Sequence, residues 1–234
     1  MRAITTLGFD ADDTLWHNEE IFRLTQDRFA ELLSNYAETD HLRERLMEAE
    51  ERNLGHYGFG VKGFTLSMIE TALEVTQNRA PGAIISQLVE AGKDMLAHPI
   101  ALLPQVAETV TRLAPNYTLV LITKGDLLDQ ERKLAQSGLG ELFDGVVVVS
   151  DKTPDTYATS FDTHGTGPQA AMMIGNSMRS DVIPALEAGA WGVHVPYEVT
   201  WSYEEASVPS DAPRFRSLPV LSALPALLDE INES

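Results

Sequence analysis

The sequence predicts an α/β fold in which a parallel sheet is covered by helices on both faces. Short, continuously apolar segments rich in β-branched residues recur along the chain, without the alternation that is typical of half-exposed strands. Helical patterns separate the last four of these segments, as expected for parallel strands joined by crossover helices. The chain has 234 residues, 44% of them hydrophobic, which is enough for one sizeable domain with an insertion.

Apolar runs and helix-capping residues locate the individual elements. The predicted strands are residues 4–9, 118–123, 145–149, 171–174 and 192–195. The predicted helices between them are residues 104–113, 127–136 and 180–187. Gly138 and Gly189 follow the last two helices, where a glycine is the usual C-terminal cap.

The segment between the first two strands has a different character. Residues 17–98 contain no strand-like run, and four helical patterns cover residues 20–36, 40–54, 64–76 and 83–96. We therefore predict a Rossmann-like core from residues 1–15 and 99–234, with a helical domain from residues 16–98 inserted into it. An insertion of this kind requires its two ends to lie close together in the folded core.

One glycine motif in the insertion resembles a nucleotide-binding loop. Gly58, Gly60 and Gly63 have the G-x-G-x-x-G spacing. The dinucleotide fingerprint needs a strand before it, however, and here a densely charged helical segment precedes it. We predict a loop between two helices rather than a nucleotide site.

Composition excludes several classes of function. The 17 basic and 35 acidic residues give a net charge of −18, which disfavours nonspecific binding to nucleic acid or to an anionic membrane. The chain has no cysteine, so disulfides and thiolate metal sites are excluded. No apolar run is long enough to cross a bilayer, and the N-terminus lacks the pattern of a secretory signal. We expect a cytoplasmic protein without nucleic-acid or membrane partners.

The stretch FDADDTLW places three aspartates within four positions, directly after the first predicted strand. Neighbouring carboxylates repel one another, and each raises the pKa of the others. Two interpretations are open from these residues alone. Asp10, Asp12 and Asp13 could form a solvated turn, or they could hold a divalent cation.

Polar residues also follow the other predicted strands. Thr123 and Lys124 end the second strand, Lys152 follows the third, and Asn176 and Asp181 follow the fourth. In open α/β sheets, ligands bind beyond the carboxyl ends of the strands, so these side chains are expected at one edge. A carboxylate there can act as a nucleophile, a second can transfer protons, and hydroxyl and ammonium groups can hold phosphoryl oxygens. Mg²⁺ prefers such hard oxygen ligands.

These motifs, in this order, resemble those of the haloacid dehalogenase superfamily, in particular its phosphatases with a helical cap domain after the first motif. The residues Phe9 to Leu15 resemble the first motif, and Leu121 to Gly125 resemble the second. Lys152 is placed like the lysine of the third motif, and Ile174 to Asp181 resemble the fourth. The resemblance extends over the whole chain.

The resemblance implies roles for individual residues. Asp10 would be the nucleophile and a metal ligand, and Asp12 would be the general acid and base, binding metal through its main-chain carbonyl. Thr123 and Lys152 would bind the phosphoryl group, and Lys124 is a further candidate for phosphate binding. Mg²⁺ would be the cofactor, and Asn176 and Asp181 would complete the metal site.

Two positions depart from the pattern of the family. Asn176 stands where the fourth motif often has aspartate, so either Asn176 is a weaker, neutral ligand or Asp181 serves the metal directly or through water. The third motif usually reads Lys-Pro, whereas here Thr153 separates Lys152 from Pro154. The lysine remains usable, with Lys124 and Lys133 as alternative amines.

The expected function is Mg²⁺-dependent hydrolysis of a small phosphorylated metabolite, a phosphate monoester, through an aspartyl-phosphate. A phosphomutase is an alternative because it shares the first half-reaction. Another alternative is a catalytically weak protein that binds phosphorylated metabolites, in which Asn176 would indicate that the catalytic site has decayed. Dehalogenation is less favoured, because Asp12 has no evident use in it. The sequence names neither the substrate nor the oligomeric state.

Overall fold

The computed structural model describes residues 3–199 and 201–233. The chain divides into two compact units. The first contains the residues through Glu19, the segment Ile100–Lys124 and the residues from Gln130 onward. The second contains Glu20–Pro99 together with Gly125–Asp129. Each unit buries an apolar cluster of its own.

The first unit is built on a six-stranded parallel sheet with the order β3-β2-β1-β4-β5-β6. The strands are β1 (Thr6–Phe9), β2 (Thr118–Lys124), β3 (Gly145–Val149), β4 (Ala171–Gly175), β5 (Trp191–His194) and β6 (Phe215–Ser217). The predicted α/β, Rossmann-like fold class is therefore confirmed. Because β1 lies between β2 and β4, the strand order reverses beside it, and such a switch point is where open sheets bind ligands.

The continuous apolar character of the strands follows from burial on both faces. In β2, Leu119 and Leu121 belong to one buried cluster, whereas Val120 and Ile122 belong to another that contains Tyr157. Successive side chains of a strand point to opposite faces of the sheet. A strand with a hydrophobic cluster on each face therefore needs apolar residues at every position.

The second unit consists mainly of four helices. They are α1 (Glu19–Leu33), α2 (Thr39–Tyr57), α3 (Val61–Val75) and α4 (Gly82–Ala97). Their apolar faces meet in a core that contains Phe29, Leu42, Leu46, Met68 and Leu88. Gly58 and Gly60 lie in the turn between α2 and α3 with φ values of 72° and 109°, a backbone region that favours glycine. The G-x-G-x-x-G pattern thus belongs to a turn between helices.

The remaining helices are α5 (Val106–Leu113), α6 (Leu127–Ser137), α7 (Pro154–His164), α8 (Ile183–Glu187) and α9 (Leu224–Glu233). A π-helical turn, Met178–Val182, precedes α8 in the segment that was predicted as one helix. No residue range was predicted for β6, α7 or α9, although a helical pattern was expected between β3 and β4. Across residues 3–199 and 201–233, no helix combines the length and the apolar character that a membrane span requires.

Candidate active site

The loop after β1 separates the three aspartates of FDADDTLW and gives each carboxylate different partners. Asp10 contacts a lysine from beyond β3, and Asp12 contacts a lysine of α6. Asp13 has a left-handed backbone conformation, with φ of 61°, and its carboxylate accepts hydrogen bonds from the main-chain N–H groups of Asn18 and Glu19. The repulsion among the three carboxylates is therefore offset locally, and Asp13 acts as a cap at the start of α1.

Asp10 is buried beside a single ammonium group. Lys152 Nζ donates to Asp10 Oδ1 at 2.5 Å, and the Thr14 hydroxyl donates to Asp10 Oδ2 at 3.1 Å. Burial raises the pKa of Asp10 to about 7, although the contact with Lys152 acts in the opposite direction. The carboxylate is thus held in place by groups that stabilise its charged form.

Lys152 is shared between two carboxylates. Its Nζ also donates to Asp181 Oδ1 at 2.7 Å, and Asp181 Oδ2 accepts from the main-chain N–H of Ser177 at 2.9 Å. Burial alone would lower the pKa of Lys152, but Asp10 and Asp181 raise it, so the lysine carries its charge. Both oxygens of Asp181 accept hydrogen bonds from within the protein, and Asp181 is placed to orient Lys152.

Asp12 is surrounded by hydrogen-bond donors. Lys133 Nζ lies 2.9 Å from Oδ1 and 3.1 Å from Oδ2, Gln130 Nε2 donates to Oδ2 at 2.8 Å, and Trp16 Nε1 donates to Oδ1 at 2.7 Å. Burial alone would raise the pKa of Asp12, but the ammonium and these hydrogen bonds lower it below its ordinary value of 3.8. In this arrangement Asp12 is ionised, and Lys133 is a partner of this carboxylate.

Asn176 brings a third oxygen-bearing group to Asp10 and Asp12. One terminal atom of its amide lies 3.3 Å from the main-chain oxygen of Asp12, 3.3 Å from Asp10 Oδ2 and 3.2 Å from Thr14 Oγ1. With nitrogen at this place, the amide donates to these oxygens. With oxygen there, a carboxylate, a carbonyl and an amide oxygen converge.

This donor set fits Mg²⁺, which takes few protein ligands and prefers hard oxygens. Within the part of the chain that the structure describes, no group of three or more histidine, aspartate or glutamate side chains is arranged to hold a metal. A metal at this edge of the sheet would therefore be held by Asp10, by the Asp12 carbonyl and by Asn176. Of these, only Asp10 carries a negative charge at its ligating oxygen.

Thr123 and Lys124 end β2 at the same edge of the sheet. Phe9 pairs with Leu121, so Thr123 lies just beyond the end of β1. Thr123 is buried and its hydroxyl donates to the carbonyl of Lys124 at 3.3 Å. Lys124, the further candidate for phosphate binding, already has protein partners. Its Nζ donates to Glu204 Oε1 at 2.6 Å and to Ser180 Oγ at 2.8 Å.

Sequence reasoning missed Glu204, Gln130 and the part that Trp16 plays. Glu204 lies in the segment between β5 and β6 and has no motif around it. Gln130 is in α6, one helical turn before Lys133, so its spacing to that lysine was a signal that could have been used. Trp16 is fully buried, and it also donates a hydrogen bond to Asp12.

The comparisons with known proteins identify the family of the chain. A family profile described as haloacid dehalogenase-like hydrolase matches residues 4–189. A haloacid dehalogenase-like family hydrolase from Xanthomonas campestris shares 42% sequence identity and has a TM-score of 0.88, with coverage of 99% of this chain and 93% of that chain. The chain belongs to the haloacid dehalogenase-like hydrolase family. It is therefore a hydrolase by family, as the resemblance predicted.

More distant members of the family share the fold. The putative hydrolase YfnB from Bacillus subtilis, described as bound to magnesium, is 16% identical with a TM-score of 0.69, covering 97% of this chain and 100% of that chain. The L-2-haloacid dehalogenase from Xanthobacter autotrophicus, solved with chloropropionic acid covalently bound, is 20% identical with a TM-score of 0.66, covering 97% and 98%. A comparison with curated proteins gave no significant match. These two structures are similar to the chain in fold.

Proposed function

We propose that the protein is a Mg²⁺-dependent phosphatase that hydrolyses a small phosphorylated metabolite through an aspartyl-phosphate on Asp10. The observation that carries this proposal is the convergence of Asp10 Oδ2, the Asp12 carbonyl and the Asn176 amide, with contacts of 3.3 Å from the amide to each of the other two. Such a set of oxygens suits a divalent cation. A carboxylate that also has an ammonium partner at 2.5 Å is suited to attack phosphorus.

The charges of the site favour a cation as part of the binding site for an anionic substrate. Eight charged side chains, five carboxylates and three ammonium groups, form ion pairs at the candidate active site or lie next to these pairs in the chain. They are Asp10, Asp12, Asp13, Asp181, Glu204, Lys124, Lys133 and Lys152. When all eight are ionised, two negative charges remain uncompensated among them. Bound Mg²⁺ would supply positive charge next to the phosphoryl oxygens. Without that charge, a phosphate dianion would be repelled from Asp10.

In the first half-reaction, a carboxylate oxygen of Asp10 forms a bond to phosphorus, and the bond between phosphorus and the ester oxygen breaks. The departing alkoxide takes a proton from Asp12, which reacts in its protonated form and is left as the carboxylate. In the second half-reaction, water attacks the aspartyl-phosphate, Asp12 takes a proton from that water, and Asp10 is restored with release of phosphate. The contacts of Lys133 and Gln130 with Asp12 favour the base form that this second step uses.

A specific observation also supports a second candidate, which is hydrolytic dehalogenation. A halide leaves as an anion and requires no proton donor, so an Asp12 that is held ionised by Lys133 does not hinder it. Attack of Asp10 on carbon would release halide and leave an ester for water to hydrolyse. A phosphomutase shares the first half-reaction of the phosphatase, and a weak metabolite-binding protein would share only the binding step.

One assay separates these functions. The full chain is incubated with an aryl phosphate, a panel of phosphorylated metabolites and 2-haloacids, in Mg²⁺ or in excess chelator, and phosphate and halide are measured. We expect phosphate release that requires Mg²⁺ and is absent in Asp10→Asn. Full turnover in chelator would contradict the metal dependence, and halide release without phosphate release would favour the dehalogenase. Phosphate transfer between hydroxyls of the metabolites would indicate a mutase, and no turnover at all would leave binding alone.

A further inference from the structure

Glu204 reaches the active site from a distant part of the chain. It ends a short 3-10 helix, Ser202–Glu204, in the segment between β5 and β6. Its side chain is only 14% exposed. A buried carboxylate is costly unless it is paired and hydrogen-bonded, so its partners indicate what it does.

The partners of Glu204 come from the end of β2 and from the turn that follows β4. Oε1 accepts from Lys124 Nζ at 2.6 Å, and Oε2 accepts from Ser177 Oγ and Ser180 Oγ, each at 2.5 Å. Lys124 also donates to the Ser180 hydroxyl at 2.8 Å. The carboxylate therefore joins the end of β2 to the turn that follows β4.

The turn that Glu204 contacts is itself irregular. The Ser177 hydroxyl accepts from the main-chain N–H of Ser180 at 2.8 Å while it donates to Glu204. Met178–Val182 is π-helical, a conformation that is rare and is frequently found at functional sites. The turn begins next to Asn176 and carries Asp181, whose carboxylate holds Lys152 against Asp10. Its shape thus determines where two of the candidate site residues lie.

We propose that Glu204 is a positioning residue of the active site. By holding Lys124, Ser177 and Ser180 together, it fixes the turn that places Asn176 and Asp181. Glu204 contacts neither substrate nor metal in this proposal and acts through the residues that do. The effect of Glu204 on the conformation of the turn does not depend on which reaction the protein catalyses. Its effect on turnover rests on the proposed function.

A simpler role would be neutralisation of Lys124 alone. A double-variant comparison distinguishes the two roles. If Glu204 only neutralised the charge of Lys124, then Lys124→Met combined with Glu204→Gln would behave like Lys124→Met. If Glu204 fixes the turn, the double variant has a lower kcat and faster exchange in the turn than Lys124→Met, because the contacts with the two serine hydroxyls are altered as well.

The test uses Glu204→Gln, Glu204→Ala and the matched control Glu205→Gln, which alters an exposed neighbour. Hydrogen exchange followed by mass spectrometry reports on the peptide that covers residues 176–182. We expect exchange there to accelerate by about tenfold in Glu204→Gln, because the turn opens more often, and to be unchanged in the control. We expect kcat to fall by about 10- to 100-fold, the usual range for residues that support ligating groups, with a smaller change in KM.

Rescue provides a measurement that a general loss of stability does not imitate. In Glu204→Ala, added formate is expected to restore part of both the protection from exchange and the kcat, because it returns a carboxylate to the two serines and Lys124. Unchanged exchange in Glu204→Gln would overturn the proposal, as would a double variant equal to Lys124→Met. If Glu204→Ala fails to fold, Ser177→Ala tests the same contact. If the wild type has no phosphatase activity but Glu204→Gln shows the expected acceleration of exchange, the proposed function is refuted and the positioning role remains supported.

Discussion

The ammonium nitrogen of Lys133 lies 2.9 Å from one carboxylate oxygen of Asp12 and 3.1 Å from the other. The lysine is buried in the first unit and comes from α6, whereas the aspartate is in the loop after β1. This contact joins two parts of the chain that are more than a hundred residues apart. It favours the ionised form of a residue whose proposed first task is to give up a proton.

Replacement of Lys133 by methionine should therefore alter the preference for leaving groups. Without the ammonium, the pKa of Asp12 rises, and a larger fraction of the enzyme holds the proton that a departing alkoxide needs. We expect the ratio of kcat/KM for an alkyl phosphate to that for an aryl phosphate to increase. The ratio is measured across pH in wild type, in Lys133→Met and in the charge-conserving Lys133→Arg. An unchanged ratio in Lys133→Met would reject Asp12 as proton donor.

Replacement of Asp12 by asparagine should have the opposite effect on that ratio. General acid and base catalysis typically contributes about 10²- to 10⁴-fold, and an acidic phenol needs little protonation in order to leave. We expect the first half-reaction to be slowed less with an aryl than with an alkyl phosphate, and the aspartyl-phosphate to accumulate because its hydrolysis lacks a base. Pre-steady-state release of alcohol from both substrates measures this. Equal losses with the two substrates would contradict the assignment.

Asp10→Asn should abolish turnover altogether. An amide does not form an acyl phosphate, so no phosphorylated protein should be trapped by acid quenching from labelled substrate. Asp12→Asn is the matched comparison, because it removes a neighbouring carboxylate and leaves the nucleophile in place. Labelled Asp10→Asn protein would show that another residue accepts the phosphoryl group.

Asn176→Asp should tighten the binding of Mg²⁺. The substitution replaces a neutral amide by a charged oxygen 3.3 Å from Asp10 Oδ2. We expect an increase in affinity of about tenfold, equivalent to about 1.4 kcal/mol, measured by calorimetry with the metal alone. Asp181→Asn should change Mg²⁺ affinity less and weaken binding of inorganic phosphate more, since Asp181 contacts Lys152. The reverse pattern would make Asp181 the metal ligand and Asn176 a bystander.

Glu204 should also contribute to stability in a pH-dependent way. Burial alone would raise its pKa, but Lys124 and the hydrogen bonds from Lys124 and two serines lower it below the ordinary value of 4.5. A carboxylate whose pKa is depressed by folding stabilises the protein above its unfolded pKa, and this stabilisation is lost as the pH falls through the folded value. We therefore expect the unfolding free energy to fall below about pH 4.5 more steeply in wild type than in Glu204→Gln. Urea unfolding between pH 3 and pH 6 measures this, and parallel curves would exclude the linkage.

The sequence was sufficient for the sheet because burial on both faces leaves a local signal. All five predicted strands are present within a residue or two, from β1 to β5. β6 has only three residues, and its pairing with β5 depends on tertiary structure rather than on an apolar run. The helix predicted over residues 180–187 begins with a π-helical turn, in which the main-chain N–H of Val182 donates to the carbonyl of Ser177, five residues earlier.

The candidate site was predictable where a residue follows a strand. Asp10, Lys152 and Asp181 come together in the structure, and each follows a predicted strand in the chain. The partners that determine their charge were not predictable in the same way. Glu204 meets Lys124 only because the chain returns to the site after β5, and no local pattern encodes that return.

The pairing of Lys124, Lys133 and Lys152 with carboxylates has a consequence for how substrate arrives. With its lysines already paired and a chain charge of −18, the protein offers an incoming dianion no attractive field at long range. At an ionic strength of 0.1 M such fields decay over about 10 Å, so added salt would screen repulsion and not attraction. Diffusional encounter should then quicken as inert salt rises, which is the opposite of the behaviour of enzymes that steer their substrates electrostatically.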